Sequence, residues 1–277
     1  VRRRIVTISS GDVAAIELGP ADRPLDVLFL HANGFCASAY TPILAPLAGL
    51  RILAIDLRGH GLTRLPTPMP HPGWRLYADD LLAFLAALGE APRVLAGHSM
   101  GGATALLAAP AVSGLAGLVL FDPVIVSPWH YARVPRAPEG DTPMAQAALR
   151  RKPGFASREE AFAAYQGRGA FRSWPDEMLR AYLEDGLTPV ADGFALSCAP
   201  AWEAQNFASY AMDDPTVGLG SIGVPIHILR AGVNSTCALD EAPGPRIMVD
   251  TVAGSSHFLP MERPELVSKA LKEAVLF

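Results

Sequence analysis

Ala96-Gly97-His98-Ser99-Met100-Gly101-Gly102 is the stretch whose reading decides the fold. Before it runs Arg93-Val94-Leu95-Ala96, which reads as a buried strand. After it come Ala103-Thr104-Ala105-Leu106-Leu107-Ala108-Ala109, good helix formers closed by Pro110. Gly97 to Gly101 therefore matches G-x-S-x-G at a sharp strand-to-helix turn, the setting in which that pattern presents a nucleophilic serine. Such a turn strains the serine backbone and projects its hydroxyl from the top of a sheet. The flanking glycines answer to the lack of space for any side chain there. The N–H groups that open the helix favour negative charge at the same place.

Outward from this elbow, strands alternate with helices. Arg4 to Ile8 and Val13 to Leu18, joined by Ser9-Ser10-Gly11-Asp12, predict an opening hairpin. Asp26 to Leu30 and Arg51 to Ile55 are apolar enough for central strands, and Gly117 to Phe121 is a third, ending at Asp122-Pro123. A helix is expected from about Trp74 to Leu88, with Tyr77, Leu81, Phe84, Leu85 and Leu88 on one face. Between Val124 and Gly220 there are helical patches and no convincing strand; strand patterns return at Val224 to Arg230 and Arg246 to Val252, and a final amphipathic helix begins at Pro264. This order predicts an α/β fold with a mostly parallel sheet flanked by helices. The expected division is a core of residues 1–123 and 221–277 with a helical cap, 124–220, inserted after the sixth strand over the C-terminal strand ends, where such sheets bind ligands.

Composition supports a large core. Half of the 277 residues are apolar and 18% are charged, so disorder is not expected. A net charge of −4 gives no electrostatic case for nucleic acid or an anionic membrane. Cys36, Cys198 and Cys237 are few, far apart and without a metal-ligand pattern, which fits free thiols in a reducing, cytoplasmic compartment, with a single disulfide as the alternative. The basic start Val1-Arg2-Arg3-Arg4 leads into strand-like residues and lacks the apolar core of a signal peptide. From Val94 to Phe121 no charged residue occurs, which is long enough to mimic a membrane span. Pro110 and five glycines interrupt it, so it parses as strand, elbow, helix, turn and strand, and a soluble protein is expected.

Four motifs, in this order, make the sequence resemble the α/β-hydrolase superfamily over nearly its whole length. They are His31-Ala32-Asn33-Gly34-Phe35, Asp56-Leu57-Arg58-Gly59-His60-Gly61, Gly97-His98-Ser99-Met100-Gly101-Gly102 and Gly254-Ser255-Ser256-His257-Phe258. A serine needs a base to take its proton. Of seven histidines, His257 stands on a small-residue loop after the last strand, in the chain order Ser…Asp…His of this fold. His31 and His60 read as loop-packing residues, and Asp56 with Arg58 as a turn held by a charge-assisted pair. The superfamily often places its acid after the strand here ending at Arg230, but Ser235 stands there and the next carboxylate is Asp240. Some members place it one strand earlier, which points to Asp122.

The resemblance thus implies catalytic Ser99, Asp122 and His257, with an oxyanion hole from the Met100 amide and one from the loop after His31. Asn33 is the first choice there, and Phe35 or Cys36 the alternatives. Phe35, Trp129 and His130 are the candidate substrate-binding residues; the remaining cap aromatics read mostly as cap core. No metal or other cofactor is implied. The expected activity is cleavage of small to medium carboxylic esters through an acyl-enzyme. Carbon–carbon bond hydrolases, lactonases and perhydrolases would use the same triad, and a low-turnover receptor would keep the same pocket.

Overall fold

The computed structural model describes residues 1–126, 142–239 and 242–276. Its main sheet has eight strands: β1 (Arg2–Ile8), β2 (Gly11–Leu18), β3 (Val27–Leu30), β4 (Ile52–Ile55), β5 (Val94–His98), β6 (Gly117–Phe121), β10 (Ile226–Ala231) and β11 (Ile247–Val252). They lie in the order β1-β2-β4-β3-β5-β6-β10-β11. The β1–β2 and β2–β4 pairs are antiparallel and all others parallel.

Every residue of β3 to β6 is buried because helices cover both faces. Alternation along the strands sends Phe29, Ala54, Ala96 and Val119 into one core, against Ile43, Val267 and Leu271. Leu28, Leu53, Leu95 and Leu120 enter the other, against Leu81, Phe84 and Leu106. The second face is closed by the helix Arg75–Leu88, whose apolar stripe is Tyr77, Ala78, Leu81, Phe84 and Leu85. It stops at Gly89, which caps it in the left-handed conformation.

Between β6 and β10 run the helices Pro143–Leu149, Arg158–Tyr165, Asp176–Asp185 and Pro200–Ala208. The absence of strands expected there is corrected. Gly154–Phe155 (β7), Leu187–Val190 (β8) and Gly193–Leu196 (β9) form a small antiparallel sheet in the order β7-β9-β8. The last helix of the segment is tied to the main body by buried polar contacts. Trp74 Nε1 donates to the Asn206 carbonyl (3.1 Å), the Tyr77 hydroxyl to Asn206 Oδ1 (2.6 Å), and Trp202 Nε1 to the Arg58 carbonyl (3.1 Å). Among the described residues no helix is long and apolar enough to cross a membrane. The charge-free run from Val94 to Phe121 instead spans β5, the helix Met100–Ala108 and β6.

Candidate active site

The strand order explains where the site lies. From β3 the chain moves outward to β4, then returns to the other side of β3 as β5, so the connections after β3 and β5 diverge and leave a crevice at their C-terminal ends. The loop His31–Phe35 follows β3 and the elbow follows β5. Ser99 has φ 56° and ψ −119°, a conformation that L-residues avoid and that the tight turn imposes. The turn can close because Gly101 lies against β3: a Cβ there would stand 2.3 Å from the Leu30 carbonyl oxygen. At Gly97 it would stand 2.5 Å from the Gly101 carbonyl carbon.

Asp122 follows β6, next door, and His257 follows β11. Ser99 Oγ is 2.9 Å from His257 Nε2, and His257 Nδ1 is 2.6 Å from Asp122 Oδ2. The carboxylate accepts at Nδ1–H, so Nε2 is left bare to accept from the serine hydroxyl. Asp122 is fully buried and its φ of 41° is also positive. Its carboxylate accepts from the Ala231 amide (2.8 Å), the Ser235 hydroxyl (2.5 Å) and the Thr236 amide (3.0 Å) besides His257. Burial works to raise its pKa. The hydrogen bonds and charge of His257, with the Ser235 and Ala231 donors, outweigh it and hold the group at about 2, ionised at neutral pH. Ser235 and Thr236 went unrecognised as partners of the acid. The sequence signal for them is Asn234-Ser235-Thr236, a run of short donors where the superfamily often has its acid.

The loop after β3 is held at almost every polar group. His31 donates from Nδ1 to the Ala32 carbonyl (2.8 Å) and accepts at Nε2 from the Leu57 amide (2.9 Å). His60 accepts at Nε2 from the Gly34 amide (3.0 Å) and donates from Nδ1 to the Arg58 carbonyl (2.9 Å). Both are thus loop-packing residues, and burial lowers their pKa values, that of His60 to about 4. The Asn33 side chain donates to the Glu203 carbonyl (3.0 Å) and accepts from Asn206 Nδ2 (2.8 Å). That side chain is turned into the protein, although Asn33 lines the same cavity as Ser99 and Met100. Met100 opens its helix, so its N–H has no carbonyl one turn earlier to bond.

A model of the alpha/beta hydrolase family matches residues 27–270. The chain belongs to this family. Over 106 residues it is 37% identical to the magnesium-chelatase 30 kDa subunit of Rhodobacter capsulatus, a match covering 38% of this chain and 36% of that one. Over 117 residues it is 36% identical to lipase LipV of Mycobacterium tuberculosis, covering 41% and 42% of the two chains. The chain therefore matches less than half the length of these curated relatives. Among solved structures, that of E-2-(acetamidomethylene)succinate hydrolase superposes with a TM-score of 0.79 at 23% identity, covering 100% of this chain and 99% of that one. That likeness is one of fold.

In this alpha/beta hydrolase, Ser99, His257, Asn33 and Met100 face a cavity of about 640 Å³. Its apolar walls include Trp74, Ile125, Met144, Phe207 and Tyr210, none of them singled out from the sequence. They come from four separate stretches that only the fold brings together. Phe35 is a correction: it is not among the cavity's lining residues and packs against Phe171, Trp174, Tyr182 and Phe258. The turn that bonds its amide to the Ala32 carbonyl leaves its ring in that aromatic core. Phe171, Trp174 and Trp202 are core residues too. Trp129, His130 and Asp240 lie outside the described residues. The expected Asp56–Arg58 pair is also corrected. Asp56 accepts from the Ala37 and Leu62 amides, whereas Arg58 forms a bidentate pair with Asp80.

Proposed function

We propose that the protein is a serine hydrolase that cleaves small to medium carboxylic esters through an acyl-enzyme. The observation that carries this reading is the hydrogen-bonded line Ser99 Oγ–His257 Nε2, His257 Nδ1–Asp122 Oδ2, opening on an apolar cavity. Ser99 attacks the ester carbonyl as His257 takes its proton at Nε2, and the buried carboxylate of Asp122 stabilises the imidazolium. The N–H groups of Met100 and Asn33 receive the developing oxyanion. His257 then gives the proton to the leaving alkoxide. In the second half it takes a proton from water, whose oxygen attacks the acyl carbon, and returns that proton to Ser99. No cofactor is needed for any step.

A cavity of about 640 Å³ with aromatic and aliphatic walls suits an ester with an apolar acyl or alcohol part. Residues 124–220 act as the cap in this reading: Met144, Phe207 and Tyr210 come from it and bound the space above the serine. The test is hydrolysis of a p-nitrophenyl ester series together with labelling by a phosphonate probe. Ser99→Ala is expected to lower kcat by at least about a thousandfold, with loss of labelling and an unchanged fold. Hydrolysis that survives in Ser99→Ala, or labelling at another serine, refutes the assignment. Turnover of lactones or diketones but of no simple ester would keep the triad and replace the substrate class.

A further inference from the structure

His98, the variable residue of the G-x-S-x-G turn, is fully buried, and the proposed mechanism gives it nothing to do. Its Nε2 is 2.7 Å from the backbone carbonyl oxygen of His257, and its Nδ1 is 2.7 Å from the Tyr40 hydroxyl. A carbonyl only accepts, so Nε2 carries the proton. Nδ1 is then an acceptor and takes the Tyr40 hydroxyl proton. The same Tyr40 oxygen accepts from the Ala32 amide at 3.2 Å. One proton assignment satisfies the whole chain: Ala32 N–H to Tyr40, Tyr40 O–H to His98, His98 N–H to the His257 carbonyl. Burial, with the nearby His257, pushes the His98 imidazole down to about 3, so it stays neutral at neutral pH and the assignment does not change there. Tyr40 is equally buried.

The two ends of this chain matter. One is the backbone of the base itself. The other is the N–H of Ala32, the residue before Asn33, whose own N–H is the second oxyanion donor in the reading above. Both sit on loops, and loops hold a geometry only as well as their hydrogen bonds do.

We propose that His98 and Tyr40 are positioning residues that tie the His257 backbone to the Ala32–Asn33 loop, so that base and oxyanion donor keep one spacing across Ser99. This rests on the serine-hydrolase reading. A core histidine that merely fills space would do as well with any side chain of its size, whereas the relay needs a donor that reaches the His257 carbonyl. Gln has one at about that reach, and Met has the length without the donor.

The experiment compares His98→Gln, His98→Met and Tyr40→Phe with the unaltered protein, each well below its unfolding temperature. His98→Met is expected to lower kcat for a short ester by about 10- to 100-fold with KM within about twofold, the signature of misplaced catalytic groups. His98→Gln should restore kcat to within about fivefold, and Tyr40→Phe should cost about 5- to 10-fold. The downfield proton resonance of the His257–Asp122 hydrogen bond should broaden or move in His98→Met and persist in His98→Gln. If Gln and Met lose kcat equally, fit alone explains the loss and the proposal is overturned. It is also overturned if His98→Met keeps kcat within twofold with that resonance unchanged. Should His98→Met fail to fold, Tyr40→Phe decides: its removal of a single oxygen must lower kcat. The resonance needs no turnover, so the relay is still judged if the protein cleaves no ester and the hydrolase reading itself fails.

Discussion

Asp122 is held ionised by donors that surround it on every side, and that arrangement explains why the loop after β10 has no acid of its own. A second carboxylate there would repel the first, whereas Ser235, the Thr236 amide and the Ala231 amide each donate to it. In the sequence the proposed triad of Ser99, Asp122 and His257 was legible because each follows an apolar strand pattern and stands in a short motif of glycines, proline or small residues. The donors were not legible as donors, since a serine looks alike whether it meets solvent or a buried carboxylate. In the proposed mechanism Asp122→Asn removes the charge that stabilises the imidazolium. It also faces Nδ1 and the backbone amides with an amide that accepts at only one atom. It should lower kcat by roughly 10³–10⁴ with little change in KM. Steady-state kinetics on a short ester measures this; a loss of less than about tenfold would remove Asp122 from the mechanism.

At the scale of elements, the elbow is a packing constraint as much as a chemical one. The helix Met100–Ala108 crosses so close to β3 that Gly101 lies against the Leu30 and His31 carbonyls. Gly101→Ala would press a methyl group to within 2.3 Å of one and 2.6 Å of the other, and backbone at both contacts leaves no flexible atom to yield. The loss should be about 2–4 kcal/mol of unfolding free energy, seen as a lower urea midpoint at unchanged slope. Gly220→Ala, where the added carbon meets open space, is the control and should be near neutral. The main sheet was legible because its central strands are unbroken apolar runs and its outer strands alternate. β7 to β9 were not, because strands of two to four residues are too short to show alternation, and Pro189 argues against a strand at β8. Cavity walls such as Trp74 and Phe207 were illegible for another reason: nothing local distinguishes an apolar residue facing a cavity from one facing the core.

Over the whole molecule, the same buried histidines that fix the loops make stability depend on pH. Burial pushes His31, His60, His71 and His98 down, to about 4 for His60 and His71 and about 3 for His98. In the unfolded chain each takes a proton near pH 6.5. From there down to about 4 the unfolded chain binds more protons than the native one, so their contribution is complete above pH 6.5 and is lost as pH falls. Asp56 works the other way. Burial raises its carboxyl to about 7 against the pull of the Ala37 and Leu62 amides, so its contribution is complete near pH 4 and is lost as pH rises towards 7. Asp122, held at about 2, adds an acid loss only below pH 4. Burial also raises the Asp80 carboxyl, so four imidazoles oppose at most two carboxyls between pH 5 and 6.5, and each excess proton is worth about 1.4 kcal/mol per pH unit. The histidines win. Urea midpoints should therefore fall steadily from pH 7 to pH 5. A flat or rising midpoint over that interval would mean that the loop histidines take protons inside the fold. In that case the hydrogen-bond directions assigned to His31, His60 and His98 would have to be reversed or broken.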